Sequence, residues 1–118
     1  MVKATFVLGS TLKYQGFTLA GHTGYAAHGE DIVCAGVSAL ALSVAQALEE
    51  FLGEKVSIIQ GEDGWLKVVI KETQCSAELL CRAETLVKTL EIGLRNISRS
   101  YPGSLEMMES EVFPDDSL

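Results

Sequence analysis

The sequence predicts a single α+β domain in the order β-β-α-β-β-α-β, with two helices against a mostly antiparallel sheet. Three observations lead there. Alternating apolar stretches at 5–20 and 56–71 read as two pairs of short strands. Two longer stretches, at 32–51 and 76–97, repeat apolar residues at helical spacing. No linker, internal repeat or low-complexity tract separates these elements, and 118 residues with 47% hydrophobic content suffice for one core.

The first two strands are expected at Thr5 to Leu8 and Tyr14 to Ala20, where Phe6, Leu8, Phe17 and Leu19 alternate with smaller or polar neighbours and Gly9-Ser10 supplies turn chemistry. Asp31 is placed to cap a helix from Ile32 to Phe51. That helix is apolar around most of its circumference, which calls for burial on two sides, by its own sheet and by a second helix or a second subunit. Val56 to Gln60 and Trp65 to Lys71 flank Gly61-Glu62-Asp63-Gly64, a hairpin signal. The second helix, Ser76 to Ile97, is amphipathic, and Glu78–Arg82, Glu84–Lys88 and Glu91–Arg95 are favourably ordered pairs expected on its exposed face. Pro102-Gly103 stops it, and Leu105 to Val112 is expected as a last strand at the sheet edge, within an acidic C-terminal tail of about residues 104–118.

Composition narrows the function. The net charge of −7 disfavours sequence-independent nucleic-acid binding and suits a basic partner. No Lys or Arg follows Arg99. The apolar run from Val33 to Ala45 is broken by Gly36, Ser38 and Ser43 and reads as too short for a bilayer span. Met1-Val2-Lys3 leads straight into strand-like sequence without the pattern of a signal peptide, so the expected location is the cytoplasm, away from membranes. Three cysteines, at 34, 75 and 81, form no Cys-x-x-Cys pair, and two histidines add no clear zinc pattern; a reduced compartment fits best.

The segment Gly21 to Ser38 carries the chemistry. His22 ends the second strand, and Cys34 falls at the third position of the helix that Asp31 caps. The partial positive charge of a helix N-terminus favours a thiolate, and its unpaired amides suit a developing oxyanion. His22 can accept the thiol proton and return one to a leaving amine. His28 competes as the base, but it lies in the glycine-rich loop, a poor support for fixed geometry. Asp31 can orient His22 as well as cap. Ser38, one turn after Cys34, can hydrogen-bond near the site or back-bond to the helix. Gly21 allows close approach or an unusual backbone conformation. Gly24 and Gly29 bracket Thr23 to Glu30 like the hinges of a lid. The bland alternative makes Cys34 a small buried hydrophobe and the segment a plain surface loop. Cys75 and Cys81 read as structural thiols, with Cys75 the more exposed.

The pattern Gly21-His22, Gly24-Tyr25-Ala26, Gly29-Glu30-Asp31-Ile32-Val33-Cys34-Ala35 and Val37-Ser38 resembles the ribosomal-processing cysteine protease (Prp) family of Firmicutes and related bacteria. The resemblance spans nearly the whole chain in element order. It implies an endopeptidase that removes the N-terminal extension of a large-subunit ribosomal protein, with Cys34 as nucleophile, His22 as base, and Gly21, Asp31 and Ser38 in support. It also implies no metal or organic cofactor, an aromatic pair before the cut, and a homodimer that would cover the apolar surface of the first helix. A non-catalytic, ribosome-associated module that binds a peptide in the same groove is the alternative. A redox sensor would need Cys75 or Cys81 to approach Cys34.

Overall fold

The computed structural model describes residues 1–21, 32–61 and 65–114. Five strands, β1 (Val2–Leu8), β2 (Tyr14–Ala20), β3 (Val56–Gln60), β4 (Leu66–Ile70) and β5 (Leu105–Ser110), form one sheet in the order β3-β4-β2-β1-β5. All pairings are antiparallel except β1 with β5, which run parallel. Two helices, α1 (Ile32–Leu52) and α2 (Ala77–Ser100), pack against each other and the sheet, with α1 over β3 and α2 over β5. The expected α+β order and the mostly antiparallel sheet are both present.

Residues two apart on a strand share a face, so the register defines the core. Phe6 stands opposite Phe17, Phe17 opposite Val68, and Val68 opposite Ile58, giving an apolar row across four strands beneath the helices. From α1, Val33, Val37, Ala41, Val44, Ala45, Leu48 and Leu52 come down onto it at the three- and four-residue steps of one helix face. Ala83, Val87, Leu90 and Leu94 do the same from α2. Gly93 lets the helices approach, because the Leu40 side chain occupies the space a Cβ would take.

β1 begins at Val2 rather than Thr5. Its first residues are held by β5, with Val2 against Leu105 and Ala4 against Met107. The acidic C-terminal stretch therefore begins inside the sheet. Beyond β5 the chain turns over the face away from the helices, where the Phe113 ring lies against Gly16 and Lys67 Nζ sits 5.2 Å from its centroid. On that face Thr5, Val7 and Thr18 are buried.

Glu91 corrects an expectation. It is only 5% exposed, not on the solvent face, and it accepts hydrogen bonds from Tyr14 Oη (3.0 Å), Lys88 Nζ (3.1 Å) and an Arg95 guanidinium nitrogen (3.0 Å). The helix from Ile32 to Lys55 also has the length and apolarity to cross a membrane, so length does not argue against a span. In this fold its buried stripe is spent on the core.

Candidate active site

α1 starts with Ile32, which makes Cys34 its third residue, in the turn whose amides have no acceptor within the helix. Core packing fixes this turn. Val33 and Val37 are both 3% exposed, while Ile32, Ala35 and Gly36 face solvent. Cys34 lies on the border between the two faces and is half-buried.

Ser38 follows one turn later on the same stripe, also half-buried, and Leu42 a turn after that. Ser38 and Leu42 form one wall of a shallow groove of about 40 Å³. Its other walls are Leu19 near the end of β2, and Gln60, Trp65 and Leu66 from the β3–β4 hairpin. The fold thus brings the end of β2, the first half of α1 and the hairpin together around Ser38, one helical turn from Cys34. The walls are largely aliphatic, with the Ser38 hydroxyl and the Gln60 amide as polar points.

Gly21 follows β2 with φ +89°, and a Cβ there would stand 2.8 Å from the Met1 carbonyl oxygen. Both the positive φ and the crowding demand glycine. His22, Gly24, Gly29 and Asp31 lie outside the described residues, as do Glu62 to Gly64 within the hairpin signal. The structure therefore brings Cys34 and Ser38 together on one helix face and holds Gly21 at the end of the strand that supplies Leu19.

The expected order of the other thiols is reversed. Cys81 is exposed, whereas Cys75 is half-buried, packs against the core and donates from its Sγ to the Lys71 carbonyl oxygen (3.5 Å). Among the described residues no cysteine forms a disulfide.

Larger cavities exist elsewhere. One of about 260 Å³ is lined by Lys13, Tyr14, Glu84, Val87 and Lys88. Another of about 310 Å³ includes Tyr14, Glu91, Arg95, Met107 and Glu109. Both lie at the start of β2, some six residues or roughly 20 Å from its Ala20 end. Neither lies on the α1 face of Cys34, whereas the smaller groove includes Ser38 one turn from it, so chemistry rather than volume selects the site. Local sequence pattern holds no sign of Gln60 and Trp65. Trp65 is the one tryptophan of the chain and reads locally as the first residue of a strand. Its place beside Ser38 is a product of tertiary folding.

A family model described as cysteine protease Prp matches residues 1–106. The ribosomal processing cysteine protease Prp of Bacillus subtilis (strain 168) is 28% identical over 107 residues, covering 91% of this chain and 96% of that protein. Among solved structures, the essential ribosomal processing protease Prp from S. aureus, in complex with a covalently linked product peptide, superposes with a TM-score of 0.77 at 21% identity. That likeness covers 93% of this chain and 100% of that one. SMU.848 from Streptococcus mutans superposes with a TM-score of 0.74 at 25% identity, over 93% of this chain and 94% of that one.

Proposed function

The chain belongs to the Prp family of cysteine proteases, and from that premise we propose that it is an endopeptidase that removes the N-terminal extension of a large-subunit ribosomal protein. Cys34 is the nucleophile and His22 its base. One observation carries the reading: the family match runs through the segment in which Cys34 occupies the first turn of α1, one turn before Ser38 in the wall of a small groove.

The chemistry follows from these parts. His22 takes the Cys34 proton, and the sulfur attacks the scissile carbonyl carbon while the π pair moves onto oxygen. Amides of the first turn of α1, which lack helical acceptors, hydrogen-bond that oxyanion. The C–N bond then breaks as His22 returns the proton to the leaving amine, which becomes the new N-terminus of the ribosomal protein. The extension remains as a thioester on Cys34 until a water, deprotonated by His22, releases it as a carboxylate. Asp31 orients His22, Ser38 supports the thiol by hydrogen bonding, and Gly21 lets the strand end approach closely. Closure of Thr23 to Glu30 about Gly24 and Gly29 excludes water. No cofactor takes part, and the reaction belongs in the cytoplasm, where such a substrate is made.

The test is cleavage of a peptide that copies a ribosomal-protein extension, followed by mass spectrometry. One defined cut is expected, lost in Cys34→Ser and in His22→Ala while both variants keep the circular dichroism of the wild type. Cleavage that survives Cys34→Ser overturns the reading, and binding of the peptide without cleavage by the wild type leaves the peptide-binding module.

The same reading includes a homodimer. Ile32 is 68% exposed, and Ala35, Ala39 and Ser43 continue an exposed stripe of small residues along α1, a surface that a second copy would cover. Sedimentation should give twice the monomer mass, falling to the monomer in Ala39→Glu. A monomeric wild type at micromolar concentration removes the dimer.

A further inference from the structure

Helix geometry ties the groove beside Ser38 to the cut. Each four-residue step from Cys34 to Ser38 to Leu42 advances about 6 Å along α1. An extended peptide advances a similar distance, about 6.6 Å, for every two residues. A peptide laid along α1 from Cys34 Sγ toward Ser38 carries a side chain from within two residues of the cut over this groove. Leu19 and Leu66 floor it, 5% and 4% exposed, and Leu42 continues the apolar wall.

Trp65 closes the far side, and its position is built in. Gly61 N donates to the Trp65 carbonyl oxygen (2.9 Å), which joins the two ends of the hairpin. The indole rests on Gly61, where an added Cβ would come within 2.9 Å of Cε3. The hairpin thus presents a half-exposed indole toward Ser38, on ground that only glycine leaves clear.

We propose that Trp65, seated on Gly61, is a specificity-determining residue: the wall of a subsite that takes one apolar substrate side chain from within two residues of the scissile bond. This rests on the proteolytic reading above. Selection comes from removing apolar surface from water against the indole, and a charged side chain is rejected because its solvation is not replaced.

The experiment varies the extension peptide at each of the two positions on either side of the cut, through Leu, Phe, Ala and Asp. kcat and KM are measured for the wild type, Trp65→Ala and Trp65→Phe, and iodoacetamide alkylation of Cys34 reports the nucleophile separately. At one position the wild type should prefer Leu or Phe over Asp by tenfold or more. Trp65→Ala should erase that preference, chiefly through KM, with Cys34 alkylation unchanged, and Trp65→Phe should restore most of it. Three results overturn the proposal: an unaltered preference in Trp65→Ala, an equal loss for every peptide, or a parallel loss of kcat and alkylation. A wild type that cuts no peptide fails differently, because it removes the proteolytic reading first and the subsite with it.

Discussion

At the scale of single residues, Glu91 and Tyr14 show how burial and charge settle a titration. Burial alone would raise the Glu91 carboxyl, but hydrogen bonds from Lys88 and Tyr14, with the charges of Lys88 and Lys13, outweigh it and hold the group below the usual carboxylate range. The folded value is thus depressed, so the unfolded chain binds the proton more readily. The resulting stability is present above the ordinary glutamate value and is lost as pH falls through the lower folded one. Tyr14 goes the other way: burial and its bonds to Glu109 and Glu91 push the phenol well above its ordinary value. The stability it contributes is complete below about pH 10 and is lost as pH rises beyond that. Glu91→Gln should flatten the acid limb of a Tm-against-pH curve, and Tyr14→Phe should flatten the alkaline limb. Equal slopes in wild type and variants would refute both assignments. Gly16 supplies a steric counterpart. A Cβ there would run into the Val68 carbonyl oxygen of the neighbouring strand, a backbone atom with little freedom to yield, and into the Phe113 ring. Gly16→Ala should therefore lose about 2 kcal/mol, seen as a drop in Tm of roughly 10 °C.

At the scale of elements, long-range contacts decide what the local pattern leaves open. The turn between β1 and β2 is held from 60 residues away: Glu72 Oε1 accepts from the backbone of Leu12 (2.7 Å) and Thr11 (3.0 Å), and Oε2 from Ser10 (3.3 Å). Glu72→Ala leaves those amides without their acceptor and should cost about 1–3 kcal/mol in urea unfolding, with Glu72→Gln recovering part of it. A variant as stable as the wild type would mean that water replaces the carboxylate at no cost. The same contrast explains which elements are legible. β2 and β3 match their expected ranges and α1 extends one residue past its own, because alternation and helical spacing are written in neighbouring residues. The local pattern shortens β1 because Val2 pairs with Leu105 of β5, some hundred residues on, and Ala4 is held between Met107 of β5 and Leu19 of β2. It sends Glu91 to solvent because the spacing from Arg95 carries no trace of Tyr14 on another element. Cys34 is legible as the head of a helix, whereas Trp65 and Gln60 join Ser38 only once the hairpin has folded beside α1.

At the scale of the whole molecule, the charge balance bears on how a substrate arrives. Lys and Arg number 9 against 16 Asp and Glu, and the C-terminal segment adds Glu106, Glu109 and Glu111 with no basic residue after Arg99. Such a surface attracts cationic chains over distances set by the Debye length, about 30 Å at 0.01 M salt and about 8 Å at 0.15 M. The attraction acts on encounter, whereas the proposed nucleophile, base and groove would act after docking. The two contributions therefore separate in kinetics. For an extension peptide followed by several lysines, kcat/KM should fall several-fold between about 0.02 M and 0.3 M salt, with kcat at saturation unchanged. The same peptide with glutamine in place of each lysine should be slower at low salt and nearly insensitive to it. If both peptides respond alike, the net charge of −7 serves solubility alone, and recognition lies entirely in the groove beside Cys34. If kcat itself falls with salt, charge is acting on the chemical step rather than on encounter.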